Sequence, residues 1–330
     1  MNGVYKNIAG MAVCLLLCAC AERESLLPDG LIRLGTRADK STDVRTRASV
    51  NDLAGLVAVG DRVGVYGVVT DRADASYAAL TAEWDTAPLM NNVRTTKIDA
   101  TSGMLFWDGD YSYPPEENKR VKFCVYHPYA PVGTGGDNYV EAVAGHSPVL
   151  HFKLTGAEDV MWAHPVTGSR RQVPSALIFE HKLTQLRFRL IDDEGEFAGV
   201  KVTGLLLTGV STAATLDLET GEPGGWSAAS DAVRFPLKAS VAITGTTDAP
   251  QILAGEVMLQ PEQSVFRLTL KTDGRGDCSG IEIRPSGGET VFRAGRSYMV
   301  TLKFRDHTAV ALSAKVTPWV MDGYGEGMVE

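Results

Sequence analysis

The sequence predicts an all-β protein built from sandwiches. Three observations carry this. Short runs alternate apolar and polar residues with a period of 2. Each run stops at Gly, Pro, Asp or Asn, and the 330 residues include 34 Gly and 15 Pro. Helical periodicity is nearly absent. Alternating runs with one polar face belong to antiparallel sheets that bury one side, and many of them in series argue for sandwiches. The composition, 44% hydrophobic and 22% charged, is that of an ordinary globular chain. The length suits two domains of roughly 100–200 residues each.

The chain opens with an address. Lys6 gives a positive start, residues 8–19 are apolar and uncharged, and Leu17-Cys18-Ala19-Cys20 closes the run. The run is too short to span a bilayer and has the form of a signal-peptide core. Leucine and small residues before a cysteine resemble the bacterial lipobox, in which the peptide is cut just before the cysteine and the thiol is lipidated. Residues 1–19 are therefore expected to be a lipoprotein signal peptide, and Cys20 the residue that carries palmitate or a similar acyl chain. Cys18 fits less well, with Leu17 in the small-residue slot. Residues 20–48 then read as a tether, a lone strand at Leu31-Ile32-Arg33-Leu34, and a polar loop with Arg37, Lys40, Arg45 and Arg47. Thr36-Arg37-Ala38 and Thr46-Arg47-Ala48 repeat one pattern. Such a loop is open to proteases, and it is equally what a solvated linker looks like.

The strand series follows. Residues 63–69 are β-rich and punctuated by Gly. Residues 121–126 set Lys122 among apolar neighbours and stop at His127-Pro128-Tyr129. Residues 183–190 place Leu186, Phe188 and Leu190 opposite Arg187 and Arg189. Residues 266–271 and 281–284 alternate cleanly, as do residues 298–304, with Thr301 and Lys303 on the polar side. Residues 310–316 close the series, with Val310, Leu312, Ala314 and Val316 expected on one face. Residues 73–83 are the best helical candidate. A boundary is expected at Phe179-Glu180-His181, which gives an N-terminal sandwich over 49–180 and a C-terminal one over 181–330.

Other classes are disfavoured. The net charge of −8, with no pooled Lys and Arg, argues against a nucleic-acid partner. No stretch of about 18 apolar residues is present to form a spanning helix. Of the 5 Cys, only Cys124 and Cys278 lie outside the address. They are too few and too far apart for a disulfide framework or metal site, and are expected to stay unpaired. The histidines are scattered, and no nucleophile elbow, phosphate loop or dinucleotide fingerprint occurs. No enzyme, metal or cofactor is expected, although the two carboxylates of an exported glycosidase need no local motif. Arg275-Gly276-Asp277 reads as a hairpin turn before it reads as an adhesion tripeptide. Trp84, Trp107, Trp162, Trp226 and Trp319 are expected to anchor cores.

Taken in order, several of these pieces resemble the fimbrillin family of Bacteroidia, the lipoprotein subunits of type V pili. They are the lipobox at Cys20, Phe106-Trp107, and the strand ending at His127-Pro128-Tyr129, with His127 where the family commonly has Tyr. Asp159-Val160-Met161-Trp162-Ala163 follows. Then comes Phe179-Glu180-His181-Lys182-Leu183-Thr184-Gln185-Leu186, similar to the family's F-x-H-x-L-x-x-L strand. Ala294-Gly295-Arg296-Ser297-Tyr298 and Trp319 complete the series. The resemblance implies two tandem transthyretin-like β-sandwich domains. It implies a surface-exposed outer-membrane lipoprotein, held by lipid on Cys20, that is later cut by an Arg-directed protease. Arg47 is the preferred cut site, with Arg37 and Arg45 as further candidates. The cut would release the first strand, with Leu31, Ile32 and Leu34. The bared groove would then accept a strand from residues 310–330 of another subunit, identical or paralogous. The implied function is that of a shaft, tip or anchor subunit of a fimbrium supporting adhesion to a host or bacterial surface ligand. The alternative is a surface glycan-binding lipoprotein that never polymerises.

Overall fold

The structure, a computed structural model, describes residues 30–36, 50–58, 60–71, 83–305 and 308–317. A short helix, α1 (Val50–Ala58), places Leu53, Leu56 and Val57 on one buried face. Three apolar positions were too few to stand out in the sequence. The helix expected at residues 73–83 lies almost wholly outside the described residues. The first half continues with β1 (Gly64–Thr70), β2 (Met90–Ile98), β3 (Leu105–Trp107), β4 (Arg120–His127), β5 (Tyr139–Glu141), β6 (Val149–Lys153), β7 (Met161–Gly168) and β8 (Phe179–His181). The second half opens with β9 (Thr184–Ile191), β10 (Lys201–Val210), β11 (Ala213–Asp217), β12 (Pro223–Gly224), β13 (Asp231–Arg234) and β14 (Val241–Ala242). It closes with β15 (Gln251–Ile252), β16 (Val257–Leu259), β17 (Phe266–Thr272), β18 (Cys278–Ile283), β19 (Arg296–Arg305) and β20 (Thr308–Thr317). The alternating runs read from the sequence are β1, β4, β9, β17, β18, β19 and β20.

The first sheet has six strands in the order β3-β2-β1-β4-β7-β8. Successive side chains point to opposite faces. Val65, Phe123, Val125, Met161 and Ala163 meet α1 in a first core, while Tyr66, Cys124, Tyr126 and Trp162 fill a second. The alternation at β4 had promised one wet face. Instead both faces are buried, because a second sheet of four strands, β12-β11-β6-β5, covers the expected wet side. Leu150 and Phe152 of β6, with Leu216 and Leu218 from β11 and its turn, complete that core. Lys122 is thereby buried. Its ammonium lies 2.7 Å from a Glu219 carboxylate oxygen, whose other oxygen accepts from Trp84 Nε1 at 2.7 Å.

The structure departs here from a division at residue 180. β11 and β12 lie beyond it in sequence, yet β11 pairs with β6 of the first half. After β10 the chain leaves the C-terminal sheets, lays the β11–β12 hairpin over the first sheet, and returns at β13. The hairpin turn rests on Trp162, whose Nε1 donates to the Leu218 carbonyl at 3.0 Å. Gly221 has φ +70°, and a Cβ there would meet the Trp162 ring at 2.4 Å. The C-terminal sandwich joins two five-stranded sheets: β13-β10-β17-β18 with β14 on β10, and β15-β9-β19-β20 with β16 on β9. Phe188, Leu205, Leu268 and Val300 lie in the third core between them.

The halves are linked by residues 179–186. Phe179 enters the first core, Leu183 the second and Leu186 the third. His181 Nδ1 donates to Asp159 Oδ1 at 2.9 Å, and both side chains are 1% exposed. His127 aligns with His181 across Met161. It is buried as well, and its Nδ1 donates to the Arg62 carbonyl at 3.2 Å.

Two predictions follow from this packing. Gly221→Ala adds a Cβ at a positive φ and against an indole. Urea unfolding should show a loss of about 2–4 kcal/mol. The second concerns acid. Burial is the main influence on His127 and holds its pKa below 6.5, opposed by Asp159 and Asp61 and reinforced by His181. Above about pH 6.5 both folded and unfolded chains leave it neutral, and it contributes no pH dependence. Below that, the unfolded chain takes up a proton that the folded one resists, so stability falls until pH reaches the folded pKa. The Tm should therefore drop as pH falls below about 6.5, and drop less in His127→Gln.

Candidate assembly surfaces

Residues 30–36 are extended and occupy a seam, as the short run at Leu31-Ile32-Arg33-Leu34 suggested. Ile32 N donates to the Tyr111 carbonyl at 2.8 Å, Tyr113 N to Gly30 at 3.0 Å, Leu105 N to Leu34 at 2.9 Å and Thr36 N to Gly103 at 2.8 Å. These bonds set the segment antiparallel to the chain around β3, at one edge of the first sheet. At its other end, Leu177 N donates to the Gly35 carbonyl at 2.7 Å, just ahead of β8 at the opposite edge. One short segment therefore bonds to both edges of the sheet.

Ile32 and Leu34, 4% and 1% exposed, project into the first core, with Arg33 exposed between them. At Gly103 the approach is backbone to backbone: φ is +71°, and a Cβ would lie 2.4 Å from the Thr36 carbonyl oxygen. A cavity of about 360 Å³ lies beside the segment, lined by Leu31, Ile32, Arg33, Phe106, Trp107 and Tyr111 among others. Phe106 is 47% exposed there.

Magnitudes show how the segment is held. Ordering its residues costs about 7–14 kcal/mol at 1–2 per residue. Burying two aliphatic side chains returns about 3–6 kcal/mol. Its backbone bonds add about 3–7 kcal/mol net. These terms are of similar size before the further interactions of Leu31 and Arg33 are added, and covalent continuity, which keeps the segment at high effective concentration, adds to its retention. The loop with Arg37, Arg45 and Arg47 lies outside the described residues, as does Cys20.

The second surface is β20, the last strand of its sheet. It pairs antiparallel with β19 from Ser297↔Thr317 to Arg305↔Thr308. The register shifts between Thr301 and Leu302, which pair with Ser313 and Ala311, so Leu312 is the extra residue. A single face through Val310, Leu312, Ala314 and Val316 is therefore not continuous. Ala309 and Ala311 on one side of the shift, and Ala314 and Val316 on the other, meet the third core. Among the described residues, the outer edge of β20 is met at Ala314, where Ser286 N donates to its carbonyl at 3.1 Å beside the Pro285 bridge. Residues 318–330 lie outside the described residues.

The remaining sequence candidates are placed as follows. Arg275-Gly276-Asp277 forms the turn between β17 and β18, with Thr272 Oγ1 donating to the Gly276 carbonyl at 2.8 Å. The Arg275 guanidinium carbon lies 5.1 Å from the centre of the Phe197 ring, folded back on the body. Cys124 and Cys278 are free. Burial pushes the Cys124 thiol up to about 12, which leaves it unreactive. Among the described residues no group of His, Cys, Asp and Glu is positioned to hold a metal ion. Trp162 is buried in the second core, with Trp84 and Trp226 packed against it, and Trp107 packs against the first. Trp319 lies outside the described residues. The β11–β12 hairpin was missed. Its only local signal was the turn sequence Gly221-Glu222-Pro223-Gly224.

Solved structures share this architecture. A candidate cell adhesion protein from Bacteroides uniformis matches with a TM-score of 0.55 at 19% identity, covering 88% of this chain and 100% of its own. A fimbrial protein from Bacteroides vulgatus matches with a TM-score of 0.56 at 16% identity, covering 87% and 99%. A candidate cell adhesion protein from Bacteroides ovatus matches with a TM-score of 0.53 at 16% identity, covering 88% and 98%. At these identities the likeness shows the fold. Comparison with curated protein sequences gives no match. The profile of fimbrillin-like proteins, however, matches residues 46–319, most of the molecule, and the chain belongs to the fimbrillin-like family.

Proposed function

We propose that the chain is a structural subunit of a surface fimbrium, exported as an outer-membrane lipoprotein through Cys20 and assembled by strand exchange after cleavage of its N-terminal loop. Family membership and the fimbrial and adhesion names of its structural neighbours support a cell-surface role. The single observation that carries the assembly step is the seam segment, a short stretch bonded by its backbone to the sheet edges with Ile32 and Leu34 seated in the first core. A cut at Arg47, or at Arg37 or Arg45, removes the continuity that helps retain it. Its departure bares two sheet edges and two adjoining apolar slots, vacated by Ile32 and Leu34. A strand with apolar residues at i and i+2 from another subunit fits that vacancy by β-strand addition.

The donor is drawn from residues 310–330. Val310 with Leu312, and Ala314 with Val316, have the needed spacing, and they become available once the β19 ladder is released. The role is non-enzymatic and requires no cofactor.

Limited trypsin treatment of purified monomers should give SDS-resistant oligomers. A chain ending at Thr317 that still assembles assigns the donor to β20, whereas one that does not assigns it to residues 318–330. Circular dichroism must show each truncated chain folded. Cleaved, folded, full-length protein that stays monomeric at high concentration refutes strand exchange. Separately, metabolic labelling with a clickable fatty acid should mark the wild type and leave Cys20→Ala unmarked. A label that persists in the variant removes Cys20 from the lipid anchor.

A further inference from the structure

One further piece of chain bears on the seam segment. Between β7 and β8, residues 169–172 make a tight turn. Ser169 N donates to the Gln172 carbonyl at 2.9 Å, and Gln172 N to the Ser169 carbonyl at 3.2 Å. The Ser169 hydroxyl also accepts from Arg171 N at 3.3 Å and from Gln172 N at 3.1 Å. The turn is thus closed on itself and forms a unit. Its flanks are fixed. Gly168 lies against Tyr113 and Pro174, where a Cβ would sit 2.5 Å from the Tyr113 hydroxyl and 2.6 Å from the Pro174 ring. Leu177 is fully buried in the first core.

This connection meets the seam at both ends. At one end the Arg170 guanidinium covers Gly30. A Cβ on Gly30 would lie 3.0 Å from Arg170 Nε and 3.1 Å from its Nη2. Gly30 is also the residue whose carbonyl accepts from Tyr113 N. At the other end Leu177 N donates to the Gly35 carbonyl, and Leu177 bridges Thr36 in parallel.

Little holds the turn down. Residues 170–172 are exposed. A cavity of about 190 Å³ lies between Pro115, Glu116 and Glu117 on one side and Ser169, Arg170 and Arg171 on the other. An ion pair from Arg171 to Glu117 bridges it, with the two side chains 49% and 69% exposed. Beside it, Arg120 Nη1 donates to Gln172 Oε1 at 2.5 Å. Exposed charges hold each other weakly, and salt screens them.

We infer that residues 169–172 are a clasp on the seam, held shut by Arg171 and Glu117, with Arg170 as the part that bears on Gly30. While the clasp is shut, Gly30 is kept against Tyr113. When it opens, the N-terminal end of the segment can lift. The inference deepens the release of the segment proposed above and rests on that reading. A cut at Arg37, Arg45 or Arg47 frees the segment beyond Thr36, whereas the clasp holds the opposite end. Cleavage and ionic strength therefore act on different ends of one segment.

The test is amide hydrogen exchange on the uncut full chain, read at Ile32 and Tyr113, with Leu268 in β17 as the reference. Local opening of the seam exposes the first two amides, whose acceptors are the Tyr111 and Gly30 carbonyls. Arg170→Ala and Arg171→Gln should each speed exchange at Ile32 and Tyr113 about three- to fivefold, the range that exposed ion pairs command, and leave Leu268 unchanged. Addition of about 0.5 M NaCl should speed it in the wild type and not in Arg171→Gln. Unchanged rates at Ile32 and Tyr113 in either variant overturn the clasp. Equal acceleration at Leu268 overturns it too, because the effect is then global, and so does salt sensitivity that persists in Arg171→Gln. The measurement needs no oligomer. A chain that never exchanges strands can still show the clasp, and a failed clasp leaves the trypsin test of strand exchange standing.

Discussion

Phe179, Leu183 and Leu186 lie within one short stretch, yet each is buried in a different core. That placement is possible only if the chain crosses between the sandwiches at a fixed rotation. The buried His181–Asp159 pair supplies the fixing, since neither group can turn away without leaving a partner unmet in an apolar surrounding. Both the seam segment and β20 take their positions from this crossing. Upstream, Leu177 and β8 form the edge to which the seam segment bonds. Downstream, β9 pairs with β19 and so sets where β20 can lie.

The β11–β12 hairpin binds the halves a second time. It gives the first sheet its second covered face, and Glu219 at its turn pairs with Lys122 and orients Trp84. The Trp84 indole of the N-terminal half is therefore held by a residue of the C-terminal half. The seam lies over the other face of the same sheet, in the first core. Each surface of that sheet is finished by chain from a different part of the molecule.

Strands with one covered face were legible in the sequence. β17 and β18 show this, because period-2 alternation records the difference between core and solvent directly. β10, with Gly204 and Gly209 interrupting it, and β7, with His164 and Pro165 inside it, were not, because neither alternates cleanly. The burial of Lys122 was not legible, since a buried ion pair and a wet face use the same residue type. Residues 31–34 read as a lone strand in sequence; the structure shows an extended segment joined by isolated bridges, and its partners were not legible. Thr36 meets Gly103 across 67 positions, and no local pattern encodes such a pairing.

The hairpin also imposes an order in time. Lys122 waits for a partner 97 positions later, and Trp84 for the same residue 135 positions later. A chain emerging N-terminus first carries Tyr66, Cys124, Tyr126 and Trp162 incompletely covered, by β5 and β6 alone, until Leu216, Leu218 and finally Met258 arrive to close the second core. Such distant contacts make for slow folding, and the uncovered sheet is open to wrong pairing in the interval. β20 is made later still. An incomplete chain thus has neither a closed second core nor the outer strand of its C-terminal sheet, and the order of synthesis itself delays closure until the molecule is whole.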